Sequence, residues 1–348
     1  MATEPLEQIH APEGFRLEAS DEYPHPVDDA ANFNESVYVN GFDPAQKTGV
    51  WMRLGNRVNE GYAELSVCAY LPDGRVACRF DRPPITTNDG FDAGGLRYVV
   101  HEPLRHVEMT YAGELLLLDD PSVLRDPKRM FETAPRLPGE MRLDARALVA
   151  LHGGEPTAPE HQHKMMYGPA FSRGHFNQHI QVAGSMRVGD ETWELDAFGW
   201  RDHSWGPRYW QVIWYYRLFI VTFGPDRAVM LLRNTPQEGP SKRIGTVMID
   251  GRYEEVVDLD VITEWSDEQD PLGVTLAVST PHRKAIIRGR TRTLTPLRNR
   301  RKTDDGELLV SRVAEAFTEF TWDDGRVGYG MMEYIERLED GVPVGFPL

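Results

Sequence analysis

Turn signals recur along this chain at intervals too short for long helices, and that constrains the fold more than any other feature. Pro72-Asp73-Gly74 separates "AELSVCAYL" from "RVACRF". Gly189-Asp190 divides "QHIQVAGSMRVGDETWELDAFGW", and Gly224-Pro225-Asp226 divides "WYYRLFIVTFGPDRAVMLLRN". Asp250-Gly251 and Asp323-Asp324-Gly325 do the same to "TVMIDGRYEEVVDLDVI" and "AFTEFTWDDGRVGYGMMEYIERL". The flanks alternate in the way of half-buried strands, so each unit reads as a hairpin. The 31 glycines and 25 prolines are scattered rather than clustered. An all-β chain built as β-sandwiches or barrels is expected.

At 348 residues and 41% hydrophobic content, the chain can bury one large or two medium cores. Residues 1–30 are acidic and irregular and read as an N-terminal tail or a strap. Two β domains are expected to follow, 31–155 and 156–348, with the boundary in the polar stretch "GGEPTAPEHQHKMMY". Residues 119–140, "DDPSVLRDPKRMFETAPRLPGE", break the strand pattern and read as an inserted loop holding a short helix at most.

A net charge of −16 repels phosphates and anionic lipid heads, so nucleic-acid and membrane-surface roles are not expected. No window has the length of apolar residues needed to span a bilayer. The start, "MATEPLEQIHAPEGF", lacks the regions of a signal peptide, and a cytoplasmic location is the expectation. Cys68 and Cys78 fall on the two arms of one hairpin and are expected as reduced thiols. Two cysteines cannot make a four-thiolate zinc site.

The densest aromatic segment, "RDHSWGPRYWQVIWYYRLF" at 201–219, also carries Arg201, Asp202, His203 and Arg208. Charges are costly to bury unless paired or functional. Strand alternation puts Trp193, Leu195, Ala197, Gly199, Arg201 and His203 on one face, and Trp200 and Asp202 on the other. A bulge at Gly199 would reset that phase. Two other acids share a face with apolar residues: Glu333 in "RVGYGMMEYI" and Glu35 in "NESVYV". Each is either paired with an arginine or raised in pKa by burial, ready to donate a proton.

His161, His163, His175, His179 and His203 cluster in sequence. "HFNQH" imitates part of a zinc-protease helix, yet its surroundings read as strand. There, i and i+4 lie about 13 Å apart, too far for one metal. No metal is expected. Nucleotide-loop and hydrolase motifs are missing, and nucleotide and flavin cofactors are not expected.

Three segments, "NESVYVN", "HFNQHIQVAGSMRVGDETWELDAFGWRDHSWGPR" and "GRVGYGMMEYI", resemble a lipocalin-related superfamily. It includes carotenoid 1,2-hydratases (hydroxyneurosporene synthases), tocopherol cyclases and a fungal survival-factor family. The resemblance implies two consecutive lipocalin-like barrels or sandwiches. In the hydratase branch it implies acid chemistry on the residues that correspond to Asp202, His203 and Trp205. An aromatic and acidic pair further along corresponds only in part, to Tyr215 and Tyr216.

The expectation is therefore a cofactor-independent acid–base enzyme acting on an apolar terpenoid, steroid or polyketide-like substrate. Its catalytic candidates are Asp202, His203, Trp205, Tyr215, Tyr216 and Glu333. Its substrate-binding candidates are Trp200, Trp210, Trp214, Arg208, Gln178 and Glu35, around an elongated apolar cavity. Indole and phenol faces would stabilise a developing cation. The alternative is a carrier of hydrophobic ligands, with the ionic residues closing a barrel. A metal-dependent enzyme using the histidine cluster is a third, weaker reading.

Overall fold

The computed structural model describes residues 8–164, 171–210, 213–236, 240–302 and 306–344. It is almost wholly antiparallel β-structure, in two compact units. The all-β class with two lipocalin-like barrels or sandwiches is what the chain adopts.

The first unit contains eight long strands: β1 (Phe33–Asp43), β2 (Thr48–Arg57), β3 (Tyr62–Tyr70), β4 (Val76–Asp81), β5 (His106–Leu118), β6 (Arg136–Ala147), β7 (Gly174–Val188) and β8 (Glu191–Pro207). Each pairs with the next in sequence, and β8 pairs back onto β1, so the sheet closes into an up-and-down barrel. A hairpin of Phe91–Ala93 and Leu96–Glu102 adds to β5. Inward residues such as Val37, Val39, Met52, Ile180, Val182 and Ala197 form one core.

Residues 8–30 are built into this unit instead of trailing from it. Ile9–His10 pairs in parallel with Leu151–His152, and Phe15–Arg16 pairs with Glu155–Pro156. A 3-10 turn, Ala19–Glu22, then buries Asp21 and Glu22. The tail reading is corrected: Glu22 pairs with Arg201 inside the barrel and Asp21 with His25 and Arg16, which offsets the cost of burying them.

The second unit holds β9 (Ile213–Thr222), β10 (Arg227–Pro236), β11 (Lys242–Ile249), β12 (Arg252–Glu255), β13 (Asp258–Trp265), β14 (Pro271–Ser279), β15 (Lys284–Lys302), β16 (Leu308–Trp322) and β17 (Val327–Glu339). The strand order is β12-β11-β10-β9-β17-β16-β15-β14-β13. Asp250 and Gly251 both have positive φ, 50° and 76°, the requirement of a tight hairpin turn. The core faces inward from Phe219, Val229, Leu276, Ile287, Phe320 and Met332.

The stretch 119–140 contains one seven-residue helix, Pro127–Thr133, capped by the Asp126 side chain. Leu118–Ala134 groups with the second unit, as does Pro72–Val76. The long division falls between Tyr209 and Trp210, so the boundary expected at 155/156 lies inside the first unit. The reason is pairing: β7 and β8 hydrogen-bond to β6 and β1 and complete the first barrel. Met165–Tyr167 of the stretch expected to hold that boundary lie outside the described residues.

Candidate active site

Strand register decides which motif residues meet. Between β7 and β8 and between β8 and β1 the pairing runs without a shift, so no bulge forms at Gly199. A Cβ there would stand 1.9 Å from the Asn40 carbonyl oxygen, which accounts for glycine. With the phase kept, Arg201, His203 and Trp205 point into the barrel. So do Glu35 from β1 and Phe176 and Gln178 from β7. Trp205 lies directly opposite Glu35, and His203 opposite Val37, so the His203 and Glu35 side chains are diagonal neighbours on one face.

Two polar clusters result. In the deeper one, both Arg201 Nη atoms donate to Glu22, at 2.8 and 2.6 Å. Arg201 Nε donates to Gln178 Oε1 at 2.7 Å. The Gln178 amide donates in turn to the Leu104 and Val149 carbonyls. Burial alone would raise the Glu22 carboxyl, but the Arg201 charge outweighs it and holds the pKa below the usual range. Gln178 is therefore a strut for Arg201, with its amide engaged by protein.

The second cluster is nearer the surface. His203 Nε2 donates to Glu35 Oε1 at 2.5 Å, and His25 Nδ1 meets the same oxygen at 2.9 Å. The His25 backbone N–H donates to Glu35 Oε2 at 3.1 Å. His25 Nε2 faces Asp21 Oδ1 at 3.3 Å. Asn88 holds the His25 carbonyl at 3.0 Å. The His25 ring stacks on the Trp205 indole, with centroids 3.9 Å apart and planes 14° apart. Gly174, opposite Trp205, makes room for that indole: a Cβ there would lie 2.1 Å from it.

The electrostatics run against the sequence expectation for Glu35. Burial would raise its carboxyl, but hydrogen bonds from His203 and His25 prevail and hold it below the ordinary 4.5. Glu35 is an ionised partner, not a neutral acid. For His25, burial would lower the ring, but Glu35 and then Asp21 raise it above the ordinary 6.5. Glu35 is fully buried, while the His25 side chain is 14% exposed. His25 lines an open cleft of about 720 Å³ together with Tyr23, Val27, Val58, Asn59 and Thr87. This groove of mixed polar and apolar lining lies beside the motif. His203 Nδ1 is buried with no hydrogen-bond partner among the described residues.

The remaining candidates lie elsewhere. Asp202 points to the opposite face from His203, is 24% exposed, and stands 3.9 Å from His175. Trp200 shares that outer face and packs edge-on against His179, whose ring burial pushes down to about 3. The histidine cluster is thus split by alternation, with His203 inside and His175 and His179 outside. The His163 side chain is outside the described residues. Arg208 is a latch: it donates to the Phe171 carbonyl at 3.0 Å and Ser204 Oγ at 2.7 Å, over the Phe171 ring. Trp214, Tyr215, Tyr216 and Glu333 belong to the second unit, as does Trp210. Tyr215 faces that unit's interior. Glu333 faces away from it, opposite Glu315, whose carboxyl is raised well above 4.5 by burial and then by the Glu333 charge. The inward acid of β17 is Glu336, fully buried between Arg217 and Arg312.

Sequence reasoning missed Asp21, Glu22 and His25. The available signal was "SDEYPHP", two acids and a histidine held between prolines in a segment read as a tail.

His25, Glu35 and His203 bring three ligand-type atoms within 4.8 Å of one another, a donor set that could also hold a metal ion.

The chain belongs to the family described as Domain of unknown function (DUF7064), whose model matches residues 18–337. No curated protein matches its sequence. In fold it is similar to a provisionally assigned AttH from Nitrosomonas europaea, at 14% identity and a TM-score of 0.54, covering 95% of this chain and 98% of that one. It is also similar to CghA solved with Sch210972, at 14% identity and a TM-score of 0.51, covering 96% and 98%. Kievitone hydratase from Nectria haematococca follows at 9% identity and 0.49, covering 95% and 97%. At these identities the first two likenesses show the fold alone.

Proposed function

We propose that this protein is an acid–base enzyme, working without a cofactor, that moves protons on an apolar carbonyl compound of terpenoid, steroid or polyketide type. One observation carries the reading. The imidazole that reaches the cleft, His25, is backed by a buried Glu35–His203 pair and so holds its proton more tightly than a free imidazole does. His25 is the proton donor. Its Nε2 proton, 3.3 Å from Asp21, is held more loosely than the Nδ1 proton on Glu35. Glu35 stays ionised as charge partner, His203 fixes Glu35, and the Trp205 face supports the cationic ring. The resemblance of the central motif to hydratases and cyclases supports acid chemistry on His203 and Trp205.

The acid type narrows the reaction. An imidazolium with a raised pKa is too weak an acid for an isolated alkene, which calls for a neutral carboxylic acid or stronger. It suits a carbon activated by a carbonyl, as in isomerisation of an enone or elimination beside a ketone. There the His25 imidazolium gives its Nε2 proton to the carbon of the dienol that becomes saturated, and the neutral imidazole left behind takes the enol O–H proton as the carbonyl reforms, so no net proton is consumed. Asp202, on the outer face, has no part in this step.

A second reading rests on the same three side chains as metal ligands. The two exclude each other, because imidazolium does not bind metal. The test is conversion of a Δ5-3-ketosteroid, a terpenoid enone and a 1,3-diketone by wild type and His25→Gln. We expect wild-type turnover that falls as pH rises through the raised His25 pKa, and none in the variant. Binding without conversion in wild type would support a carrier. Turnover abolished by a chelator would support the metal.

A further inference from the structure

The interior of the second unit collects more positive charge than its acids balance. Alternation along β15, β16, β17, β9 and β10 aims Arg298, Arg312, Glu336, Arg217 and Arg233 at the same inner face as the core. Arg298 lies directly opposite Arg312, and Arg217 directly opposite Arg233. Like charges opposed across a ladder are destabilising unless something lies between them. Among the described residues, one carboxylate shares this face with the four: Glu336, which accepts from Arg217 through Oε1 and from Arg312 through Oε2. The neighbouring Arg125–Asp270 pair is self-compensating. Among the described residues three positive charges are thus left over, in a chain whose net charge is −16.

These arginines are held against aromatic rings, with unused donors among the described residues. The Arg217 guanidinium lies 4.6 Å from the Tyr215 ring centroid, 4.2 Å from Tyr334 and 5.5 Å from Trp265. Arg233 reaches the other flank of Tyr215 at 5.7 Å. Arg217 is 1% exposed, yet its Nε has no hydrogen-bond partner among the described residues. Arg233 Nε and Tyr215 Oη are buried in the same state. Among the described residues Arg298 donates only to the Pro296 and Leu297 carbonyls, and burial together with the charges of Arg312 and Arg125 pushes its pKa down to about 10. Buried donors without acceptors cost free energy, and planar guanidinium forks match oxyanions.

We propose that this inner face is a binding site for a small oxyanion, the carboxylate or phosphate of a small molecule, taken by Arg217, Arg233, Arg298 and Tyr215. It is separate from the His25 chemistry, and its occupancy is read as binding, not turnover. The full chain is titrated calorimetrically with benzoate and with inorganic phosphate at constant ionic strength. The same is done with Arg233→Gln and Arg298→Gln, at the less buried ends of the cluster, and with Arg233→Lys and Arg298→Lys, which keep charge but lose the fork. We expect saturable binding of at least one anion, weakened roughly tenfold or more in each Gln variant and by less in the Lys variants. Benzoate binding assigns the site to carboxylates, and phosphate binding assigns it to phosphates. If neither anion binds, or if the variants bind as wild type does, the proposal fails and the arginines serve the fold alone.

Discussion

Glu35→Gln tests the site most sharply as a physical object, because it removes one charge and almost no volume. In the native protein Glu35 Oε1 takes hydrogen bonds from both His203 and His25, and Oε2 takes the His25 backbone N–H. A glutamine can keep Oε1 as acceptor, but its amide NH₂ then opposes the backbone N–H, donor against donor. The carboxylate is fully buried, so solvent screens little of the loss. Removing one partner of a buried ion pair costs about 3–5 kcal/mol. With one hydrogen bond retained, about 3 kcal/mol is expected. At about 2–4 °C per kcal/mol for a unit of this size, the melt should fall by roughly 6–12 °C. The pH dependence carries the proof. His25 is raised above 6.5, so its share is complete below 6.5 and is lost as pH rises through the raised value. Glu35 is lowered below 4.5, so its share is complete above 4.5 and is lost as pH falls through the lowered value. The difference between wild type and variant should therefore peak between pH 4.5 and 6.5 and shrink on either side. Thermal melts of both proteins from below that window to well above it measure it. A penalty that does not vary with pH would refute the claim that a His25–Glu35 charge pair exists.

Four other substitutions or treatments follow from the structure. Asp202→Asn should change stability by less than about 1 kcal/mol, as expected of a part-exposed group, and leave turnover intact. His203→Ala should cost about 3 kcal/mol or more, by stripping Glu35 of its closest donor. Gly174→Ala forces a methyl group into the Trp205 indole; melts should show a loss of about 1–3 kcal/mol, and tryptophan emission should shift to the red as the His25 stack opens. Cys68 and Cys78 are buried and form no disulfide, and burial pushes the Cys78 thiol up to about 12, so a thiol reagent should label neither until the protein is unfolded.

Much of the fold is legible in the sequence because strand alternation and turn residues are local signals. Asp250-Gly251 and Gly189-Asp190 mark real hairpins, and the phase from Trp193 correctly turns His203 inward. The same phase turns Asp202 outward, so two adjacent residues of one motif cannot serve one site. Function was harder to read because the site is assembled across the barrel. Glu35 looked like an unpaired buried acid because His203 lies 168 residues away, on the last strand of the first barrel, and because His25, only ten residues away, sits in a segment with no periodicity. Glu333 misled for a related reason. Its neighbours Met331 and Ile335 are apolar and buried, but both faces of β17 are buried, so apolar company does not identify the inner one. Glu336 sits inside because Arg217 and Arg312 meet it there, and no local pattern announces a pairing between three strands.

The most direct measurement is hydrogen exchange into a carbonyl substrate. A Δ5-3-ketosteroid incubated with the enzyme in heavy water should gain deuterium at the carbon that receives the proton, with wild type and with Asp202→Asn. His25→Gln should bind the steroid and melt cooperatively but incorporate deuterium no faster than buffer. Incorporation at the wild-type rate by His25→Gln, or its loss in Asp202→Asn alone, would contradict the assignment of proton transfer to the inner face of the first barrel.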